Sequence, residues 1–115
     1  MTTRIYHNPR CSKSRATLAL LEERGVELEV VEYLKTPPDA ERLKALLAKL
    51  GIRAADLIRK NEQEWKDSGL DAGASEDELI ALMVRHPILI ERPIVEVGER
   101  ARIGRPPERV LELFE

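Results

Sequence analysis

The sequence predicts an α/β fold, with a mixed sheet laid down as β-α-β, interrupted by a helical insertion and completed as β-β-α. Three observations carry this reading. Two short runs rich in strand-forming residues, Thr3–His7 and 28–33, enclose an apolar-periodic helical stretch. The middle of the chain, from about 39 to 86, places helix-capping residues ahead of helically spaced apolar ones. A second strand pair, Ile94–Val97 and 101–103, is joined at Gly98-Glu99 and followed by a proline-opened helical pattern.

Taken in order, the first strand breaks at Asn8-Pro9, and Ala16, Leu18, Ala19, Leu20 and Leu21 supply the apolar positions of the first helix, which Gly25 ends. Such a β-α-β opening normally makes its two strands parallel, with a right-handed crossover through the helix. Thr36-Pro37-Pro38 closes this half. Asp39 then caps a helix with Leu43, Leu46, Leu47 and Leu50 on one face and Gly51 at its end. From Ala54 to about Asp67 the pattern gives shorter, more polar helical pieces, with Glu62, Glu64 and Asp67 as a solvated face and Trp65 as an anchor. Ser75-Glu76-Asp77-Glu78 is a capping-box pattern opening a helix that buries Leu79, Leu82 and Met83, carries Arg85 in its last turn and stops at Pro87. Pro106-Pro107 suits the first turn of a closing helix, for which Val110, Leu111 and Phe114 are the expected buried stripe. The expectation is one domain over 1–115 with the helical insertion at about 39–86.

A chain of this length buries about two-thirds of its unfolded surface, enough for one real core. Hydrophobic residues make up 43% and charged residues 35%, too apolar a balance for a disordered regulator. The 19 basic and 21 acidic residues are interspersed and leave a net charge of −2, without the basic block that nucleic acid or an acidic membrane would attract. One cysteine cannot form an internal disulfide, so no secreted-type framework exists. The beginning of the sequence lacks a signal-peptide apolar core and no run approaches a membrane span, so the reading is cytoplasmic.

The chemistry is placed at Tyr6-His7-Asn8-Pro9-Arg10-Cys11-Ser12-Lys13-Ser14-Arg15, the strand-to-helix junction that holds the only cysteine. Cys11 falls at or near a helix N-terminus, at the carboxyl end of the first strand, where open α/β sheets generally put their ligands. Unpaired N–H groups and the positive end of the helix dipole favour an anion there, whether a thiolate or a bound oxyanion. Free cysteines are often inert and buried, but the polar loop and the cations Arg10, Lys13 and Arg15 argue for a reactive thiolate. Ser14 is close enough in sequence to turn its hydroxyl toward the sulphur. Lys13 and Arg10 also fit plain solvation, and His7 fits either a place beside the thiolate or a structural hydrogen bond. A phosphatase-type cysteine loop is disfavoured, since it needs arginine six residues after the cysteine and Thr17 stands there. The histidines and the cysteine lie too far apart for a metal-ligand spacing, and no nucleotide-binding glycine loop is present, so no metal and no bound cofactor are expected.

The segment His7 to Arg15, together with Arg92-Pro93-Ile94-Val95 and Gly104-Arg105-Pro106, resembles the glutaredoxin-coupled arsenate reductases, a single-cysteine class with a thioredoxin-like fold. The resemblance covers essentially the whole chain and implies Cys11 as nucleophile, with Arg59, Arg92 and Arg105 binding the substrate oxyanion. His7, Ser14, Arg15 and Pro93 follow as secondary site residues. Only about 5–6% of X–Pro bonds in folded proteins are cis, but thioredoxin-like proteins place a cis-proline beside the active cysteine, so Pro93 is expected to be one. The implied activity is reduction of arsenate to arsenite, with glutathione as co-substrate and glutaredoxin as partner. Two other readings stand beside it: a transcription regulator that contacts RNA polymerase, whose usual Cys-x-x-Cys switch is Cys11-x-x-Ser14 here, and a glutathione-linked reductase of another substrate.

Overall fold

A computed structural model describes residues 2–115; Met1, the first residue of the expected domain, lies outside them. The chain divides into two compact units, one formed by the residues up to Thr36 with Arg92–Glu115, the other by Pro37–Glu91.

The first unit is built on a four-stranded sheet in the order β2-β1-β3-β4, from β1 (Thr3–His7), β2 (Leu28–Glu32), β3 (Ile94–Val97) and β4 (Arg100–Ile103). β1 runs parallel to β2, with Ile5 opposite Val30, and antiparallel to β3, with Ile5 opposite Val95. This is the mixed α/β sheet that the element order predicts. Helix α1 (Ser12–Glu23) makes the β1-to-β2 connection, and Gly25 takes a φ of 73° just past its end. Alternation along β1 sends Thr3, Ile5 and His7 to one face and Arg4 and Tyr6 to the other. On the first face Ile5, Leu21, Val95, Val110 and Leu113 form a buried cluster joined by Leu18, Val26, Leu28 and Val97. Each fully buried side chain of this cluster contributes roughly 1.5–3 kcal/mol by leaving water, and the partly buried ones less. On the second face Glu96 is buried, but Arg4 Nη1 and the Tyr6 hydroxyl both donate to its Oε1 at 3.3 Å, which offsets the desolvation of the carboxylate.

Two expectations about apolar faces are corrected. The closing helix is a 3-10 segment, Pro107–Phe114, and it buries Val110 and Leu113 while Phe114 is 41% exposed. Three residues per turn put positions three apart on one stripe, whereas the expected stripe assumed α-helical spacing. In α1 the buried residues are Ser14, Thr17 and Leu21, and Ala16 and Ala19 face outward. Polar residues can occupy the buried face because both hydroxyls are bonded, Ser14 to the loop before the helix and Thr17 to the carbonyl of Lys13 at 2.8 Å.

The second unit contains α2 (Ala40–Leu50), α3 (Ala54–Leu57), α4 (Gln63–Ser68), α5 (Glu76–Arg85) and the 3-10 segment Pro87–Leu89. Its ends obey local rules. Asp39 accepts from Arg42 N–H at 2.8 Å, Gly51 closes α2 in the left-handed region, and Ser75 with Glu78 forms a reciprocal capping box. Helix α5 packs against α2 and α3. The acidic run read as a solvated face divides, because Glu62 turns to Arg59 at 3.5 Å while Asp67 is exposed and bonded to Gln63. Among the described residues no helix is long and apolar enough to cross a membrane.

Candidate active site

Cys11 is the N-cap residue of α1, in extended conformation with φ −95° and ψ 122°, and it is 8% exposed. The loop that delivers it is held by its own hydrogen bonds. Cys11 N–H donates to Asn8 O at 3.0 Å, Arg10 N–H donates to Asn8 Oδ1 at 3.0 Å, and Asn8 N–H donates to Ser14 Oγ at 3.0 Å. Arg15 reaches back from the helix to donate to Pro9 O at 2.9 Å, so its guanidinium braces the loop as well as carrying charge. Arg10 and Lys13 are exposed.

His7 and Ser14 meet beneath this loop, with Nδ1 and Oγ 2.6 Å apart and both residues buried. Burial pushes the His7 imidazole below its ordinary value of 6.5, with Glu32 drawing it up and Arg15 pressing it further down, so the ring is neutral at pH 7. The tautomer decides where the Ser14 proton goes. If Nδ1 carries hydrogen it donates to Oγ, leaving the hydroxyl proton for another acceptor; if it does not, that proton is spent on the ring. Among the described residues Ser14 makes no bond to Cys11, so the hydroxyl faces His7 and Asn8 rather than the sulphur.

Across the sheet, Arg92 is separated from β3 by Pro93 and Arg105 from β4 by Gly104, and the sheet order brings both ends beside the end of β1. Arg105 Nη1 lies 3.9 Å from Cys11 Sγ and donates to Arg92 O at 3.3 Å. Arg92 has Nε and Nη1 buried. The Arg92-Pro93 bond is cis, as expected, and so is Arg105-Pro106, which no sequence signal marked. Arg59 belongs to the helical unit, where its guanidinium lies 3.5 Å from Glu62 and 3.7 Å from Glu91.

In the sequence Gly104 counted only as part of the Gly104-Arg105-Pro106 motif and Thr17 only against a phosphatase-type loop, and neither had a place in shaping the site. Gly104 N–H donates to Pro93 O at 2.9 Å, and a Cβ on Gly104 would stand 2.5 Å from Thr17 Oγ1 and 2.9 Å from Pro93 Cγ. The chain just before Arg105 therefore passes between helix and proline through a gap that only glycine fits. The signal was present as a threonine inside a helix's apolar face and a glycine where no turn needs one. Among the described residues no three of His, Cys, Asp or Glu converge on a metal position.

A thiol at a helix start beside a fixed arginine is suited to attack an anionic electrophile, and comparison with known proteins points the same way. Residues 6–113 match the model of the ArsC family. The chain is 57% identical over 112 residues to the uncharacterized protein YfgD of Escherichia coli strain K12, covering 96% of this chain and 94% of that one. It is 49% identical over 109 residues to an arsenate reductase of Neisseria meningitidis serogroup A, covering 93% of each. The structure of an arsenate reductase from Vibrio cholerae superposes with a TM-score of 0.93 at 51% identity, covering 97% of each chain. With the thioredoxin-like fold and the cysteine loop in place, these matches establish that the chain belongs to the ArsC family.

Proposed function

We propose that this protein is an arsenate reductase that draws its electrons from glutathione and is returned to the thiol state by glutaredoxin. The observation that carries the reading is the approach of Arg105 Nη1 to Cys11 Sγ at 3.9 Å, at the first turn of α1. A cation at that separation attracts a thiolate by roughly 1–4 kcal/mol, depending on solvent exposure. The same fork can hold the oxyanion that the thiolate attacks, which otherwise would be repelled.

In this reading Arg92, Arg105 and Arg59 bind arsenate, and Cys11 displaces one arsenate oxygen as water to form a sulphur–arsenic(V) bond. Glutathione thiolate then attacks Cys11 Sγ. The sulphur–sulphur bond forms, the sulphur–arsenic bond breaks with its electron pair on arsenic, and arsenite leaves. A glutaredoxin thiolate takes the glutathione sulphur and frees Cys11. An outside thiol is required because the chain has one cysteine and Ser14 stands at the resolving position. His7 and Ser14 set the loop geometry, Arg15 braces it and Pro93 fixes the wall beside it. A single free thiol and a glutathione requirement suit the reducing cytoplasm.

The test is arsenate-dependent NADPH consumption in the presence of glutathione, glutaredoxin and glutathione reductase. Intact protein should sustain turnover, and Cys11→Ser should fall to background, a loss of roughly a thousandfold or more. Equal rates for the two proteins would end the proposal.

A further inference from the structure

The loop before Cys11 has two flanks, and only one is used by the arginines. Sheet order β2-β1-β3-β4 puts Arg92 and Arg105 on the β3–β4 side of the loop. On the β2 side a cleft of about 340 Å³ opens between Asn8–Arg10 and Glu32 at the end of β2 with Leu34 and Lys35 in the turn after it. We propose that this cleft seats the thiol co-substrate, a zwitterionic tripeptide with two carboxylates and one ammonium group; the assignment rests on the glutathione-dependent reading above.

Three features of the cleft fit that ligand. Its cations are available: Arg10 is exposed and has no carboxylate partner among the described residues, and the Lys35 side chain is 78% exposed with only a 3.4 Å pair to Glu32. Arg10 and Lys35 can take the two carboxylates, and Glu32, once released, can take the ammonium. Between these charges lies an apolar floor, since Leu34 is one of the few large hydrophobic side chains left 43% exposed and Pro9 is exposed beside it. The volume is at the small end of ligand sites, about 300–1,000 Å³, and the loop wall is already fixed by the Asn8, Arg10 and Arg15 hydrogen bonds, so little ordering cost remains on binding.

Reaction geometry gives the independent reason for this flank. Displacement at sulphur proceeds in line, with the incoming thiolate opposite the bond that breaks. With arsenic held on the arginine flank, the second sulphur comes at Cys11 Sγ from the side away from the arginines; Cys11 is not itself part of the cleft lining, so the thiol of a tripeptide seated there extends past Arg10 to reach it. Its attack forms the Cys11–glutathione disulfide and passes the sulphur–arsenic pair to arsenic, reducing it from +5 to +3.

The experiment measures glutathione KM and kcat at saturating arsenate for the wild type, Arg10→Glu, Lys35→Glu and the double variant, with Lys44→Glu in the helical unit as the charge-matched control. Binding of unreactive S-methylglutathione is followed in parallel by amide chemical shifts. The expected result is a rise in glutathione KM of about five- to tenfold per reversal, with kcat at saturating glutathione within about twofold for Lys35→Glu, no rise for Lys44→Glu, and shifts confined to Asn8, Arg10, Leu34 and Lys35. If the wild type turns over with glutathione but the cleft variants match Lys44→Glu, the cleft assignment is wrong and the reductase reading survives. If the wild type shows no arsenate-dependent glutathione oxidation, the reductase reading fails, and the shift map decides the cleft alone: shifts elsewhere, or none, overturn it.

Discussion

Arginine stands in opposite settings in the two units. In the sheet unit Arg105 is exposed and directs Nη1 at Cys11 Sγ and at the Arg92 carbonyl. In the helical unit Arg59 is only 21% exposed and lies between Glu62 and Glu91 at 3.5 and 3.7 Å. Arg105 Nη1 is aimed at the sulphur, whereas Arg59 lies between two carboxylates that an incoming anion must displace. Counting arginines therefore overstates the binding power of a site, and what each faces before substrate arrives decides how much its loss should cost.

The sharpest way to break this contrast is to remove the planar fork while keeping the charge. Arg105→Lys and Arg92→Lys should each lower kcat/KM for arsenate by about 10- to 100-fold with circular dichroism unchanged, because lysine cannot offer two parallel donors. Full activity in both would mean the anion is held elsewhere.

Next in size is Gly104→Ala. The added methyl must push against Thr17 and Pro93, so thermal unfolding should show a loss of about 1–3 kcal/mol, together with weaker arsenate binding as Arg105 is displaced. Thr17→Ser, which removes only the more distant contact, should not relieve Gly104→Ala, whereas Thr17→Ala should recover part of the loss. If Gly104→Ala is neutral on both counts, the gap is not tight.

A smaller effect is expected at Arg59. Arg59→Lys should reduce kcat/KM by no more than about tenfold, and Glu62→Gln with Glu91→Gln should lower arsenate KM by lifting the competition for its guanidinium. A loss at Arg59 as large as at Arg105 would erase the distinction between the two settings.

The smallest effect concerns His7, whose native value is depressed by burial. The unfolded chain takes up a proton near the ordinary value of 6.5 while the folded chain still resists it, so folding free energy should be full above that pH and decline as pH falls through the lower native value. Denaturant titrations across this window should show the decline in the wild type and less of it in His7→Gln. An equal decline in both would assign the acid sensitivity to other groups.

The helical unit was legible because its signals are local. Asp39, Gly51, Ser75 and Glu78 act within a few residues of where they stand, and each does in the structure what its sequence position implies. Strand pairing was legible too, from alternation and from the Gly98 turn, whose φ is 58°. What could not be read depends on which groups the fold brings together. Nothing near Ser14 announces that its oxygen will answer to His7 and Asn8, and nothing near Gly104 announces the helix residue Thr17 against it. The closing segment failed differently: Leu113 and Phe114 are adjacent, and a small change of helical pitch decides which is buried. Cys11 at a helix start was visible from Asn8-Pro9 and the apolar run that follows, but the approach of Arg105 to its sulphur needed the sheet.

In the proposed reaction one thiol, Cys11, takes arsenic from an arginine-held oxyanion, and glutathione attack then breaks the sulphur–arsenic bond as the Cys11–glutathione disulfide forms. It is tested most directly by a single turnover with arsenate and glutathione in the absence of glutaredoxin, followed by intact-mass analysis and arsenite determination. The expected products are one equivalent of arsenite per chain and one glutathione bound through a disulfide at Cys11, with neither formed by Cys11→Ser. Arsenite formed without glutathionylation of Cys11, or glutathionylation at the same rate whether or not arsenate is present, would contradict it.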